Sequence, residues 1–309
     1  MELSVIIPLL NERESLLMLY EQLAAVLEPL ARSYELIFID DGSTDGSYDV
    51  LRQLHARDSR VKVFQFRRNY GKSAALAAGF AEATGEVIVT MDADLQDDPA
   101  EIPPLLSALE QGSDVVSGWR FARRDPIFKR LLSKVFNVTV RLLTGVTLHD
   151  FNCGLKVYRR GVVKDLVLYG ELHRYIPVLV HWRGFRIREV QVHHRPRQFG
   201  KSKFKASRFG RSFFDLLTIV FLTQHAVRPL HLFGWPGIGS LAAGVAISLY
   251  LTVLWFMGER PIGTRPLFML GILLIIIGVQ FFCFGLLAEM LVRWQTRDDP
   301  IYRFRSILK

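Results

Sequence analysis

The stretch Val87-Ile88-Val89-Thr90-Met91-Asp92-Ala93-Asp94-Leu95-Gln96-Asp97 joins an apolar run to a cluster of carboxylates. The run reads as a buried strand, and the carboxylates stand where it gives out. Two aspartates one residue apart can share one hard divalent cation, and that cation can neutralise a diphosphate. A second apolar run, Leu36-Ile37-Phe38-Ile39, ends in another acidic pair, Asp40-Asp41. Carboxylates at two strand ends point to a nucleotide-sugar site at the carboxyl edge of a parallel sheet. An Asp-x-Asp tripeptide alone is as readily a solvated turn, so its neighbours decide.

Those neighbours alternate between two periodicities. Leu3–Pro8, Leu36–Asp40, Val61–Phe66, Val87–Met91 and Val115–Trp119 read as strands. Between them Glu14–Leu30, Ser47–His55 and Ser73–Ala83 space their apolar residues as helices do. The alternation predicts an α/β domain with a mostly parallel sheet. Asp98-Pro99 predicts another helix start, with proline in the first turn. Further on, Ile127–Leu143 reads as an amphipathic helix, Leu155–Tyr158 as a short strand, Arg174–Arg183 as a helix and Arg186–Val192 as a strand. No internal repeat or low-complexity segment is present.

The chain of 309 residues holds one large domain or two modest ones. His231–Met257 and Pro266–Ala288 contain no Asp, Glu, Lys or Arg. Each is long enough to cross a hydrocarbon core of about 30 Å as a helix, and the short gap between them predicts a membrane hairpin. Much of the net charge of +9 flanks this hairpin, from Arg195 to Arg228 before it and from Arg293 to Lys309 after it. The positive-inside rule then puts both termini in the cytoplasm and the Gly258–Arg265 loop outside. Basic residues beside a membrane attract anionic lipid, and no nucleic-acid motif appears, so nucleic acid is not an expected partner. Between residues 206 and 226, Phe209, Phe213, Phe214, Leu217, Val220 and Phe221 oppose Arg208 and Arg211. That is the pattern of a helix lying in the membrane interface, or of one packed on the soluble part. No cleavable leader is expected, because the N-terminus enters directly into a strand pattern. The two cysteines, Cys153 and Cys283, read as unpaired thiols of a reducing compartment.

Leu3-Ser4-Val5-Ile6-Ile7-Pro8 with Asn11-Glu12, Asp40-Asp41-Gly42-Ser43-Thr44-Asp45, Asn69-Tyr70-Gly71-Lys72 and Asp92-Ala93-Asp94-Leu95-Gln96-Asp97 follow one another in order. In this order and spacing the first 120 or so residues resemble the family 2 glycosyltransferases with a GT-A fold. Gly118-Trp119-Arg120, Lys129-Arg130 with Ser133, Asp150-Phe151-Asn152-Cys153-Gly154-Leu155-Lys156 and Glu171-Leu172-His173-Arg174 come next. His194-Arg195-Pro196-Arg197 and Gly200-Lys201-Ser202-Lys203-Phe204 complete the series. This longer series resembles the dolichyl-phosphate mannose synthases and their bacterial polyprenyl-phosphate relatives, and the trailing hairpin fits the bacterial subgroup.

The resemblance implies roles for named residues. Pro8, Glu12, Asp40, Asp41 and Asp92 would hold the donor nucleotide. Asp92, Asp94 and Gln96 would ligate Mg²⁺ or Mn²⁺, and Asp92, Asp94 and Arg120 would serve catalysis. A lipid phosphate approaching a diphosphate needs cations to screen the repulsion. Arg130, Arg197 and Lys203, with Ser133 and Ser202 donating hydrogen bonds, are the acceptor-phosphate candidates. His173, His193 and His194 read as structural histidines, ligands or bases. The implied layout is a GT-A catalytic domain at 1–204, a juxtamembrane amphipathic region at 205–229, two transmembrane helices at 230–294 and a basic cytoplasmic tail at 295–309.

The expected activity is inverting transfer of a hexose from a nucleotide-sugar donor to a polyprenyl phosphate such as undecaprenyl phosphate. It is expected at the cytoplasmic membrane, with the catalytic domain on the cytoplasmic side. A homo-oligomer packed through the hairpins fits the same reading. The rival readings are a processive polysaccharide synthase and a catalytically inactive membrane lipid-binding scaffold. The first calls for a Gln-x-x-Arg-Trp motif, and here Met290 stands where its Gln would be, ahead of Arg293-Trp294. Intact Asp40, Asp92 and Asp94 weigh against the second. A sugar nucleotidyltransferase would need a Gly-rich phosphate loop near the N-terminus, and none is present. The residues do not identify the sugar.

Overall fold

The computed structural model describes residues 1–121, 127–164, 166–196, 198, 199, 218, 221, 229–259, 261–263 and 265–295, with 127–133 and 292–295 described by backbone alone. These fall into two compact units, Met1–Ile219 and Val220–Lys309. The amphipathic helix expected at 206–226 lies outside the described residues, apart from Thr218 and Phe221.

Seven strands make one sheet: β1 (Leu3–Leu9), β2 (Tyr34–Asp40), β3 (Val61–Gln65), β4 (Val87–Thr90), β5 (Val115–Arg120), β6 (Lys156–Arg159) and β7 (Ile187–Val192). Their order is β3-β2-β1-β4-β6-β5-β7. β1 pairs in parallel with β2 and β4, and β2 with β3. β6 runs antiparallel between β4 and β5, and β7 lies parallel to β5. Every residue of β1 and β2 is buried, which is why both read as near-continuous apolar runs. Following the pairings, β1, β2, β4, β5 and β7 all point their carboxyl ends to the same edge, and β6 starts there.

The helices of the first unit are α1 (Arg13–Leu27), α2 (Ser47–Arg57), α3 (Lys72–Glu82), α4 (Ile102–Glu110), α5 (Ile127–Thr144), α6 (Arg160–Val163) and α7 (Ile176–Trp182). Leu16, Leu19, Leu23 and Leu27 form the buried stripe of α1. Prolines account for where the observed helices depart from the sequence expectation. The first α-helix stops at Leu27, and Glu28–Leu30 continue as a 3-10 turn holding Pro29. Arg174–Arg183 divides into a 3-10 turn, Leu172–Tyr175, and α7, with Pro177 in its first turn. A proline lacks the N–H that a helix interior needs but costs nothing in the first turn. Asp98 caps the 3-10 turn Pro99–Glu101, just ahead of α4, by accepting from Ala100 N at 3.0 Å.

At the amino edge of the sheet, Glu35 is fully buried and fully engaged. Its Oε1 accepts from Ser4 Oγ (2.5 Å), Thr84 N (2.8 Å) and Thr84 Oγ1 (2.8 Å), and Lys62 Nζ lies 2.6 Å from Oε2. Burial pushes the carboxyl up, but Lys62, Ser4 and Thr84 outweigh it and hold the pKa at about 2. A folded-state value below the unfolded one gives stability that is present at neutral pH and lost as pH falls. The domain should therefore lose on the order of 3 kcal/mol between about pH 5 and pH 2. Glu35→Gln should lower the melting temperature at pH 7 and flatten that acid limb, read by circular dichroism on the full chain in detergent. An unchanged acid limb would remove Glu35 as its source.

The second unit is a pair of long helices, α8 (Pro229–Phe256) and α9 (Pro266–Gln295). Both are long and apolar enough to cross a membrane, and few of their residues are buried. They pack through glycines. A Cβ on Gly244 would stand 2.7 Å from Gly271 O, and one on Gly278 would stand 2.7 Å from Leu241 N. Small residues at such positions let two backbones approach where lipid offers no hydrophobic drive.

Candidate functional site

Three parallel strands end side by side at the carboxyl edge. The buried Pro8 lies near the end of β1, and Glu12 follows, partly buried, at the threshold of α1. Asp40 closes β2 fully buried, accepting from Ser43 N at 2.9 Å and from Gln65 Nε2 at 3.2 Å. The loops after β1 and β2 are stitched together: Asn11 N donates to Ser43 Oγ (2.8 Å), Thr44 N to Asn11 Oδ1 (2.8 Å) and Glu12 N to Ser47 Oγ (3.0 Å). Pro8, Glu12 and Asp40 thus stand on a shared, cross-linked rim. Asp41 faces elsewhere. Its carboxylate accepts from Tyr70 N (2.7 Å) and Gly71 N (3.0 Å), and so pins the loop that opens α3.

That loop brings Lys72, the first residue of α3, onto Asp92, where its ammonium pairs with Oδ1. Burial alone would raise the Asp92 carboxyl, but Lys72, Arg120 and Lys156 outweigh it and hold it below the usual carboxylate range. Asp97 behaves oppositely. It is buried, its Oδ2 has no hydrogen-bond partner, and burial together with Asp92 pushes it up to about 7. Asp92 therefore carries the charge of the two. Gly154 stands directly against them: a Cβ there would lie 2.8 Å from Asp92 Oδ2 and 2.9 Å from Asp97 Oδ2.

Leu95 turns the loop. It is fully buried in the core and sits at φ +58°, a conformation that a leucine holds only when packing imposes it. Asp94 and Gln96 flank it in sequence, and Gln96 N donates to Asp94 Oδ1 at 3.2 Å. Arg120, at the end of β5, grips Asp150 with Nε–Oδ2 at 2.7 Å and Nη2–Oδ1 at 3.1 Å. Lys156, buried at the start of β6, donates to Cys153 O, and burial pulls its pKa down. Burial pushes the Cys153 thiol up to about 12, so it stays a neutral filler and not a nucleophile.

The loop offers oxygen donors from Asp92, Asp94 and Gln96, with the open Oδ2 of Asp97 beside them, and this set suits a hard divalent cation. Among the described residues no three His, Cys, Asp or Glu side chains converge on one point. The protein would supply a minority of the ligands, and a diphosphate and water the rest, as is usual for Mg²⁺ and Mn²⁺.

Two long-range contacts complete the edge. Ser73 Oγ lies 2.9 Å from His173 Nδ1 and accepts from His173 N at 3.1 Å, which fastens the 171–174 segment to the first turn of α3. Beyond β7, His194 pairs with Asp97 as an antiparallel bridge, and Arg195 N donates to Gln96 O at 2.9 Å. Of the acceptor candidates, Arg130 and Ser133 lie on α5 with side chains outside the description, and Arg197, Ser202 and Lys203 lie outside the described residues. Sequence reasoning left Lys72, Asp97, Gly154 and Lys156 without roles. All four stood inside motifs already quoted, and a lysine opening a helix after Asn-x-Gly was the available signal for Lys72.

The comparisons agree with this geometry. Residues 4–167 match the model of Glycosyl transferase family 2. The chain is 40% identical over 314 residues to a dodecaprenyl-phosphate galacturonate synthase of Rhizobium johnstonii, covering 99% of this chain and 93% of that one. It is 35% identical over 311 residues to an undecaprenyl-phosphate 4-deoxy-4-formamido-L-arabinose transferase of Yersinia enterocolitica, covering 99% and 94%. Among solved structures, the fold is similar to glucosyl-3-phosphoglycerate synthase from Mycobacterium tuberculosis in complex with Mn²⁺, UDP-glucose and phosphoglyceric acid. The TM-score is 0.53 at 20% identity, over 71% of this chain and 78% of that one, a likeness of fold. With its GT-A-like sheet, its strand-end aspartates and relatives matched from end to end, the chain belongs to glycosyl transferase family 2.

Proposed function

We propose that this protein transfers a sugar from a nucleotide-diphosphate donor to a polyprenyl phosphate at the cytoplasmic face of a membrane, inverting the anomeric centre. One observation carries the acceptor: the match to relatives named for dodecaprenyl and undecaprenyl phosphate spans 99% of the chain, the apolar hairpin included.

Asp40, Pro8 and Glu12 hold the nucleoside at the stitched rim, with Asp40 accepting from a base N–H or a ribose hydroxyl. Asp41 keeps the Tyr70-Gly71 turn in place, so its part in donor binding runs through Lys72. Asp92, Asp94 and Gln96 would hold a divalent cation, which would supply the positive charge that a departing diphosphate needs. Lys72 and Arg120 bring positive charge to the same side. The acceptor phosphate is its own nucleophile, since a phosphomonoester with a second pKa of about 6 is largely dianionic near neutral pH. Its oxygen forms the new bond to the anomeric carbon as the bond to the nucleoside diphosphate breaks. No general base is required, and direct in-line attack inverts the centre. Residues 1–204 form the catalytic domain of this reading, 205–229 its juxtamembrane region, 230–294 the membrane hairpin and 295–309 the tail. Both termini face the cytoplasm, and hairpins of neighbouring copies pack into a homo-oligomer.

A panel of nucleotide sugars, UDP-galacturonate and UDP-4-deoxy-4-formamido-L-arabinose among them, with undecaprenyl phosphate and Mn²⁺ tests the reading through labelled lipid product. Failure of every donor to label lipid, while the folded protein binds UDP, would overturn it. On the acceptor side, Arg197→Ala and Lys203→Ala should each lower lipid glycosylation about tenfold or more with donor affinity little changed, as loss of a charge-assisted phosphate contact implies. The decisive condition is neutral detergent with a short-chain acceptor. Wild-type rates there would make both residues membrane contacts only.

A further inference from the structure

We infer that Glu189 is a positioning residue, whose carboxylate fixes the 149–150 turn and through it holds the Arg120 guanidinium beside the acidic cluster. The inference rests on the part proposed above for Arg120 in the reaction.

One carboxylate takes up two consecutive backbone N–H groups. Glu189 Oε1 accepts from His149 N at 2.9 Å and from Asp150 N at 2.8 Å, and Oε2 accepts from His149 N at 2.8 Å. The His149 ring meets the same group, with Nδ1 2.9 Å from Oε2, and it lies stacked on Trp119 with ring centroids 4.2 Å apart. From the other side α5 binds the carbonyls. Asn137 Nδ2 donates to His149 O at 2.7 Å, and Arg141 Nη2 donates to Leu148 O at 2.9 Å. The turn is thus fixed on its donors by β7 and on its acceptors by α5. The Glu189 side chain is only 9% exposed, so water does not take its place. Bonds from backbone N–H groups to a carboxylate are charge-assisted, and a neutral side chain does not replace them in full.

The turn delivers Asp150. That carboxylate is 2% exposed and meets Arg120 at two points, Nε–Oδ2 at 2.7 Å and Nη2–Oδ1 at 3.1 Å. A bidentate pair fixes the direction of a guanidinium as well as its distance. The same loop runs on to Gly154, which stands against Asp92 and Asp97. Burial pushes both of those carboxyls up, and Arg120 is among the cations that pull them down, so its charge acts on the cluster. Glu189 is registered on β7 opposite Ser117 of β5, the strand that ends in Arg120. Both ends of the relay therefore stand on paired strands, where a site is held more firmly than on loops.

The test reads Arg120 in two ways on the full chain in detergent. Phenylglyoxal modification of arginines, mapped by mass spectrometry, reports how firmly the guanidinium is held and needs no substrate. Glu189→Ala should speed modification of Arg120 severalfold. It should leave unchanged the rate at Arg60, which Asp58 grips just ahead of β3. Transfer of labelled sugar to undecaprenyl phosphate should fall about tenfold or more in the same variant, because a small displacement of a reacting group is costly. Glu189→Ala combined with Arg120→Ala should be no slower than Arg120→Ala alone, because Glu189 acts through Arg120. Glu189→Gln keeps the size and one acceptor oxygen. It should move both readouts in the same direction by less, and it serves where Glu189→Ala does not fold. Unchanged modification of Arg120 in both Glu189 variants, equal speeding at Arg60, or additive losses in the cycle would overturn the inference. Wild-type transfer by Arg120→Ala, with Arg120 still freed in Glu189→Ala, is a different failure: it would remove Arg120 from the proposed reaction and leave its hold by Glu189 standing.

Discussion

Asp94→Asn should lower the rate of lipid glycosylation by about 10²-fold or more, some 3 kcal/mol of transition-state stabilisation, since neutralising a leaving diphosphate is a main catalytic term. The substitution is conservative where the fold is concerned. Asp94 Oδ1 accepts from Gln96 N at 3.2 Å, and an asparagine carbonyl can accept the same bond. Leu95, which imposes the turn, is untouched. What disappears is one of the two charges that close Asp-x-Asp around a cation. The loss should therefore fall on turnover and on metal affinity and leave metal-free UDP binding near wild type. Excess chelator should abolish wild-type turnover for the same reason. Rates within threefold of wild type for Asp94→Asn, or full turnover in chelator, would falsify the assignment.

The strands and helices of the first unit were legible because each carries a strong local signal. β1 and β2 are mostly apolar, and Pro8 and the Asp40-Asp41 pair mark where they give out, so their limits could be read to within about two residues. Pairing was not legible. β6 has only four residues and begins with the buried Lys156, and nothing local says that it slips antiparallel between β4 and β5. That insertion comes from tertiary packing, which overrides local preference. It matters to function, because it delivers Gly154 to the Asp-x-Asp loop.

The site divides in the same way. Asp40 and Asp92 were legible as carboxylates at strand ends, where the fold class puts ligands. Asp41, grouped with Asp40 by adjacency, faces the other way and holds the α3 loop, because neighbours on an extended chain point to opposite sides. The contacts of Ser73 with His173 and of Gln96 with His194 join residues about a hundred positions apart. Spacing cannot reveal such pairs, although all four residues lay in or beside quoted motifs.

Gly154→Ala should cost about as much activity as the loss of a metal ligand, through a single methyl group. The new Cβ would stand 2.8 Å from Asp92 Cγ and Oδ2 and 2.9 Å from Asp97 Oδ2, well inside contact distance. The turn cannot retreat. Thr90 Oγ1 donates to Gly154 O at 2.9 Å, and Lys156 donates to the neighbouring Cys153 O. Asp92 cannot retreat either without leaving Lys72. The carboxylates must therefore shift, and a displacement of about 1 Å at reacting groups can cost on the order of 10²-fold. The backbone at Gly154 lies outside the left-handed region, so alanine adds no conformational strain, and the α/β unit should still form. Gly161→Ala, whose Cβ would meet nothing within 4 Å, is the matched control and should be silent. Initial rates, Mn²⁺ affinity and circular dichroism on the two variants decide the matter. A folded Gly154→Ala protein with wild-type Mn²⁺ affinity and turnover would mean that Asp92 and Asp97 can be moved freely, and that their present placement is not what the reaction uses.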